Sequence, residues 1–203
     1  MAAMQYLGPM AMERVFEQGT PAWKQWRKQG IGASDAPVIM GESPWSSRYD
    51  LWEQKTGRGS ERPANFYMRR GTRLEHVARR LYIESRGTHV EPVCMESEER
   101  SWMRASLDGW SAAARLVVEI KCPGAKDHAV AQSGKIPAKY YPQLQHLLAV
   151  SGGTECHYVS YRDDELVVLM VKPKVDYIAR LVREEQEFWD CVQTGRVPRG
   201  MVV

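Results

Sequence analysis

Apolar and charged side chains alternate strictly over residues 118–122, and this run constrains the fold more than any other stretch of the chain. On a β-strand, residues two apart point to the same face, roughly 7 Å apart, so Glu119 and Lys121 share one face. An earlier strand-like stretch ends at Asp108-Gly109, which predicts the start of a turn. If the two strands pair as a hairpin, Asp108 returns beside Glu119, and the charged groups converge at a sheet edge.

Such a cluster of two carboxylates and one amine is unfavourable unless something compensates it. Two carboxylates ~4 Å apart repel by about 4 kcal/mol at an effective dielectric of ~20, and Lys121 offsets part of that repulsion. A divalent cation offsets more, and an all-oxygen site suits Mg²⁺ or Mn²⁺. The alternative is a surface strand with a Glu119–Lys121 salt bridge, which Asp108 and the glutamines downstream disfavour.

The composition is that of a globular protein, with 43% hydrophobic and 26% charged residues. A length of 203 residues suits one domain over residues 1–203, with residues 1–19 as an N-terminal arm. No apolar run approaches the ~20 residues of a membrane span, and the N-terminus lacks the pattern of a signal peptide. The four cysteines are scattered, so we expect a cytoplasmic protein with free thiols and no zinc site.

Basic residues are concentrated in residues 55–86, although the net charge of the chain is only +3. Nine Lys and Arg residues face three Glu residues in this stretch, which indicates a polyanionic partner. A solvated helix face is the alternative explanation.

A long helix is predicted over residues 65–86, with an apolar stripe formed by Leu74, Val77 and Leu81. Arginines occupy the opposite face and are candidates for contact with a DNA backbone; they are Arg69, Arg73 and Arg80. Glu75 shares a flank with Gly71, Ala78 and Tyr82, away from those arginines. It lies either at the margin of the core or in a functional site.

Two further groups of polar residues are candidates for a site. Ser34 is placed as the N-cap of a short helix seven residues after Arg27, and the two could hold a terminal phosphate. The alternative, that Ser34 only caps its helix, stays open. Gln143 and Gln145 occur in a predicted helix and could hold a nucleotide, a water or Lys121; the residues alone do not choose between them.

The order of elements predicts an α/β domain with a central mixed sheet flanked by helices. Helices are expected after Thr20-Pro21, after Ser34 and after Ser46-Ser47, and over residues 65–86, 127–133, 138–150 and 175–195. Strands are expected over residues 89–96, 102–107, 116–122, 155–161 and 166–171.

Taken in order, these motifs resemble the lambda exonuclease (YqaJ-like viral recombinase, alkaline exonuclease) family of the PD-(D/E)XK nuclease superfamily. The resemblance covers roughly residues 20–190. Its motifs are Arg27 seven residues before the serine of Gly30-Ile31-Gly32-Ala33-Ser34, then Gly71-Thr72-Arg73-Leu74-Glu75, Ser106-Leu107-Asp108-Gly109, Glu119-Ile120-Lys121 and the helical glutamines. Leu107 stands where the superfamily name implies proline, a position that is not a metal ligand.

The resemblance implies a role for each of these residues. Asp108, Glu119 and the Ile120 backbone carbonyl would bind Mg²⁺, and Glu75 would add a ligand at a second metal position. Lys121 would orient or deprotonate the attacking water, or stabilise charge on the phosphorane, with a pKa lowered by the nearby cations. The remaining residues are Gln143 or Gln145, which would position Lys121 or the water, and Arg27 and Ser34, which would hold a 5′ phosphate.

The family also implies an activity and partners. A member would digest one strand of linear duplex DNA from the 5′ end with Mg²⁺, release mononucleotides and leave a 3′ overhang. It would form a ring of three subunits and act beside a single-strand annealing protein, in a bacterial or phage-infected cell. The rivals are a structure-specific or restriction-type endonuclease on the same core, and a non-catalytic DNA-binding recombination protein.

Overall fold

The computed structural model describes residues 11–59 and 65–199. The helices are α1 (Pro21–Lys28), α2 (Ala36–Ile39), α3 (Arg48–Lys55), α4 (Phe66–Arg86), α5 (Ala125–Gln132), α6 (Tyr141–Ser151) and α7 (Val175–Thr194). The strands are β1 (Ala11–Arg14), β2 (Ile31–Gly32), β3 (Glu91–Ser97), β4 (Met103–Ser111), β5 (Leu116–Lys121), β6 (Glu155–Arg162) and β7 (Glu165–Val171). No helix among these residues is long and apolar enough to cross a membrane.

The strands form one mixed sheet in the order β1-β3-β4-β5-β6-β7. The pairing of β5 with β6 is parallel, and the other pairs along this path are antiparallel. The short β2 runs parallel to the first residues of β4, whereas β5 pairs with its last residues, over Gly109–Ser111. The residues between these two stretches of β4 therefore have a sheet partner on the β3 side only.

Helices cover both faces of the sheet. On one face, Ala78 and Tyr82 of α4 pack against Val118 and Ile120 of β5. On the other face, the leucines of α6 pack against Leu107 and neighbouring strand residues. Successive side chains of β5 therefore meet different helices: Val118 and Ile120 face α4, whereas Glu119 faces α6.

Several local predictions are confirmed. The Thr20 hydroxyl accepts the backbone N–H of Trp23, with Pro21 at the first helical position, so it caps α1. Ser47 and Asp50 form a reciprocal capping box at the start of α3. Helix α4 begins and ends as predicted, with Asn65 as its N-cap and Gly87 in the left-handed region at φ 64°.

Other predictions are corrected. Asp108-Gly109 lies within β4 and does not begin a turn, because the chain turns later, over residues 112–115. Strand β5 lies between β4 and β6, so the charged cluster is not at a sheet edge. On α4, the fully buried residues are Ala78 and Tyr82, while the predicted stripe of Leu74, Val77 and Leu81 packs at the margin.

Parts of some predictions fall outside the described residues. Residues 11–14 of the expected N-terminal arm form β1, paired with β3, and residues 1–10 lie outside the description. The same is true of residues 60–64, which include Glu61 and Arg62 of the basic stretch.

Gly109 and Gly71 make a matched pair for testing the packing of this sheet. A Cβ at Gly109 would stand 2.8 Å from Val90 Cγ2 and 3.1 Å from Val118 Cβ, whereas one at Gly71, inside α4, would meet nothing within 4 Å. We expect Gly109→Ala to lower the free energy of unfolding by about 1–3 kcal/mol, and Gly71→Ala to raise it by up to about 1 kcal/mol. Urea denaturation measures both free energies of unfolding. Equal changes for the two variants would contradict the close packing of Val90 and Val118 around Gly109.

Candidate active site

The site forms where β4 and β5 part. Their pairing ends at Gly109 and Val118, and directly beyond it the Asp108 carboxylate accepts the Ile120 backbone N–H at 2.8 Å. The register between β3 and β4 also shifts here, between Glu91 and Val93, next to Pro92, which has no N–H to donate. A side-chain carboxylate thus replaces a ladder hydrogen bond, as a buried backbone N–H requires.

Glu119 is the centre of the site. Its Oε1 accepts two hydrogen bonds of 2.6 Å, from Lys121 Nζ and from Gln143 Nε2. The residue is 3% exposed, and its Oε2 is buried with no hydrogen-bond partner among the described residues. A carboxylate oxygen without a partner in such a place is costly, and it leaves a strong acceptor for a ligand.

Glu75 reaches the site from α4 on the opposite face of the sheet. The Arg79 guanidinium, one helical turn later, bonds to Glu75 Oε1 and donates to the Asp108 main-chain carbonyl at 2.5 Å. Glu75 lies away from the outer-face arginines as expected, and Arg79 is a further arginine that pairs with it. Arg79 was not found from sequence, although its i+4 spacing from Glu75 was a usable signal.

The electrostatics of the cluster follow from burial and crowding. Burial, together with the charges of Glu119 and Glu75, raises the pKa of Asp108 well above its usual range. Burial also raises the pKa of Glu75, although Arg79 opposes the shift. Burial alone would lower the pKa of Lys121, but the carboxylates of Glu119 and Asp108 outweigh it and raise that pKa. The expected lowering depends on a bound cation and stays a prediction.

Tyr140 is a second residue that sequence reasoning missed as a member of the site. Its ring centroid lies 5.4 Å from Lys121 Nζ, and its hydroxyl donates to Asp127 at 3.4 Å. At this distance the face of the ring attracts the lysine ammonium. Its place three residues before Gln143 on the sequence was the only available signal.

The side chains present fit one divalent cation bound through few protein ligands. No group of three or more His, Cys, Asp and Glu side chains in residues 11–59 and 65–199 is arranged to hold a metal ion. Asp108 and Glu119, with the Ile120 carbonyl, nevertheless supply the oxygen ligands that Mg²⁺ takes, since Mg²⁺ often uses one or two carboxylates and keeps several waters. Glu119 Oε2, which has no hydrogen-bond partner in the described part of the chain, supports this fit, whereas Glu75 is already bonded to Arg79.

The two glutamines separate clearly. Gln143 donates to Glu119 and belongs to the site. Gln145 is fully buried elsewhere: its Nε2 donates to the Lys172 carbonyl at 3.0 Å, and its Oε1 accepts the Lys174 backbone N–H at 2.9 Å. Gln145 therefore holds the segment before α7, and its candidacy for the site is not supported.

Arg27 and Ser34 meet, as their spacing predicted. Arg27 Nη2 donates to Ser34 Oγ at 2.6 Å, and the guanidinium lies 4.7 Å from the centroid of the Trp23 ring. The prediction that Ser34 caps a helix is wrong, because Ser34 lies inside a 3-10 turn over Ala33–Asp35 and α2 begins after Asp35. The Ser34 hydroxyl consequently faces Arg27.

Asp35 holds this turn in place. Its Oδ2 accepts the Gly32 backbone N–H at 2.9 Å and pairs with Lys55 Nζ at 2.7 Å. Burial would raise the pKa of Asp35, but Lys55 and Arg27 outweigh it and lower that pKa. The fixed carboxylate keeps the arginine and the serine together. On α4, by contrast, the outer-face residues Arg69, Arg73 and Arg80 are exposed as predicted.

The family of the chain follows from a family model. The model of the YqaJ-like viral recombinase domain matches residues 22–154, which include Arg27, Glu75, Asp108, Glu119 and Gln143. The chain belongs to the YqaJ-like viral recombinase family.

Two relatives agree with this YqaJ-like assignment. One is the uncharacterized protein YqaJ of Bacillus subtilis (strain 168), 26% identical over an alignment of 198 residues; the match covers 90% of this chain and 59% of that protein. The other is the uncharacterized protein R354 of Acanthamoeba polyphaga mimivirus, 25% identical over an alignment of 166 residues; the match covers 74% of this chain and 30% of that protein. The YqaJ-like chain thus spans 59% of the length of the first relative and 30% of the second, less than two thirds of each.

Solved structures confirm the fold class. LHK-Exo in complex with dAMP matches with a TM-score of 0.78 at 26% identity, covering 87% of this chain and 94% of that one. The structure described as an alkaline exonuclease (LHK-Exo) from Laribacter hongkongensis gives 0.74 at 25%, covering 85% and 94%. A phage related exonuclease from Haemophilus somnus 129PT, with a TM-score of 0.62 at 16% identity over 82% and 96%, shares the fold alone. This YqaJ-like chain therefore has the PD-(D/E)XK type of α/β fold, with a central sheet flanked by helices.

Asp108→Asn tests the charge crowding in this site. A carboxyl whose pKa is raised on folding favours the folded state only while it is protonated, so stability is lost as the pH rises through the raised pKa. The amide keeps an oxygen for the Ile120 N–H. We expect Asp108→Asn to be more stable than the wild type at pH 7 in EDTA, by about 0.5–2 kcal/mol, and the gain to disappear near about pH 4.

Urea denaturation across this pH range measures the effect. Asp176→Asn, at an exposed aspartate of α7, is the control and should show no such gain. A loss of stability for Asp108→Asn at pH 7 would contradict the assigned crowding.

Proposed function

We propose that this protein is a Mg²⁺-dependent exonuclease that digests one strand of linear double-stranded DNA from its 5′ end to mononucleotides, leaving a 3′ overhang. The observation that carries the proposal is the Glu119 carboxylate. One of its oxygens accepts hydrogen bonds from Lys121 and Gln143, and the other has no partner among residues 11–59 and 65–199. The likeness to LHK-Exo, described as an alkaline exonuclease, supports the same activity.

In this proposal the residues divide the chemistry among them. Asp108, Glu119 and the Ile120 carbonyl would hold Mg²⁺, for which Mn²⁺ would substitute. When bound, this ion supplies charge at the scissile phosphate and lowers the pKa of the attacking water. Lys121 would orient or deprotonate that water. Gln143, which donates a hydrogen bond to Glu119, would keep Glu119 and through it Lys121 in place. Glu75, held by Arg79, would serve a second metal position after leaving that arginine.

In this proposal, Arg27 and Ser34 determine that digestion starts at a 5′ end. A guanidinium and a hydroxyl that already face each other can both turn to a terminal 5′ phosphate, for which arginine suits through paired hydrogen bonds. The exposed face of α4 would contact the DNA backbone without reading bases, through Arg69, Arg73 and Arg80. Two metal ions, a trimeric ring, a single-strand annealing partner and a cytoplasmic location in a bacterial or phage-infected cell complete the proposal.

Digestion of one duplex in two forms tests the activity. We expect the linear form with 5′ phosphates to be lost with release of mononucleotides in Mg²⁺ and to persist in EDTA, while the covalently closed circle stays intact. Lys121→Ala is the matched control: it should lose cleavage and keep DNA binding, because it removes the amine and leaves both carboxylates. Cutting of the circle would favour an endonuclease, and binding without cleavage of either form would favour a DNA-binding recombination protein.

Arg27→Ala tests the proposed 5′-phosphate pocket. Removing the guanidinium deletes a charged hydrogen-bond donor that a 5′-hydroxyl end does not need. We expect the rate on 5′-phosphorylated ends to fall by about tenfold or more, since hydrogen bonds to charged groups contribute about 1.5–3 kcal/mol, with a smaller loss on 5′-hydroxyl ends. Initial rates on the two substrates measure this difference. An equal loss of rate on both kinds of end would contradict the assignment of Arg27 to a 5′-phosphate pocket.

A further inference from the structure

A cleft of about 670 Å³ lies beside the first turns of α4, outside the carboxylate site. Its walls include Phe66, Tyr67 and Arg73 of α4 and Arg162 at the end of β6, and its floor includes Gly124. This volume is in the range of small-molecule sites.

Two aromatic rings of this cleft are exposed. Phe66 is 66% and Tyr67 is 60% exposed, and their rings meet edge to face with centroids 5.7 Å apart. The Tyr67 ring also lies over the floor, since its Cε1 would stand 3.5 Å from a Cβ built at Gly124. Large aromatic side chains grouped at the surface typically mark a binding site.

The guanidinium groups of the cleft have different roles. Arg70 and Arg162 each donate to the Pro123 carbonyl at 3.3 Å, and Arg162 pairs with Asp163 at 3.0 Å, so both hold the floor in place. Arg73 is exposed and forms no hydrogen bond or ion pair with another described residue. Arg73 is therefore the cation that remains to neutralise a ligand.

The position of the cleft ties it to the carboxylate site. Tyr67 and Glu75 are eight residues apart on α4, about 12 Å along its axis at ~1.5 Å per residue. Gly124 follows Lys121 by three residues, at most about 11 Å of extended chain. A strand held near the carboxylates would reach the cleft within a few nucleotides.

We propose that this cleft binds single-stranded DNA, namely nucleotides unpaired near the end of the duplex that is being digested. Exposed rings offer stacking to bases, and only unpaired bases present both faces to a protein ring. Arg73 supplies the charge for one phosphate. The proposal rests on the proposed function for the source of the strand, but the binding itself is measured without hydrolysis.

The test is the affinity of the full chain for a fluorescein-labelled oligothymidine of about ten nucleotides, measured by fluorescence anisotropy in EDTA. Tyr67→Ala should weaken binding by about tenfold or more, the factor expected for one stacked base, and Tyr67→Phe should bind within about twofold of the wild type. Arg73→Ala should make the slope of log affinity against log salt shallower by about 0.7, the value for one phosphate of a single strand. Arg183→Ala, at an exposed arginine of α7, should change neither quantity.

Two results overturn the proposal: a wild type that does not bind the oligonucleotide, or Tyr67→Ala binding as tightly as the wild type does. Digestion of linear duplex by the wild type in Mg²⁺ is measured in parallel. Digestion without a Tyr67 effect on binding would reject the cleft and retain the nuclease. A Tyr67 effect without digestion would support the cleft and reject the nuclease.

Discussion

The parting of β4 from β5 beyond Gly109 and Val118 is the constraint on which the candidate site depends. A strand inside a sheet must satisfy its backbone N–H groups on both sides. Where β5 leaves β4, the Asp108 side chain accepts the Ile120 N–H instead. This hydrogen bond brings a carboxylate next to Glu119. The interaction that satisfies the Ile120 N–H therefore also creates the repulsion between carboxylates that characterises the site.

Side chains of the protein compensate only part of the repulsion among these carboxylates. Lys121 and Gln143 share one oxygen of Glu119, and Arg79 binds Glu75, yet the second Glu119 oxygen stays buried without a partner among the described residues. The raised pKa values of Asp108 and Glu75 express the same repulsion. Arrangements of this kind cost stability and are found mostly at functional sites, which agrees with the proposed cation and nuclease chemistry.

Two parts of the fold supply the three proposed contacts with DNA: the turn before α2 supplies one, and α4 supplies the other two, which share Arg73. The Arg27–Ser34 pair is set on a turn held by Asp35 and Lys55, and it suits a terminal phosphate. The outer face of α4 offers charge for a DNA backbone. The Phe66–Tyr67 cleft offers stacking for unpaired bases. Helix α4 links the last two to Glu75, which makes it the element that would relate bound DNA to the carboxylates.

Local patterns in the sequence determined those features that depend on one element at a time. The two-residue period of a strand places Glu119 and Lys121 on one face, and the capping residues Asn65 and Gly87 bound α4. Tertiary packing decided the rest. Gln143 and Gln145 differ by about 200° around α6, and only the packing of that helix through its leucines turns Gln143, and not Gln145, toward Glu119. Likewise, Asp108 joins the site because β5 diverges from β4, which depends on pairing between distant residues and has no local signal.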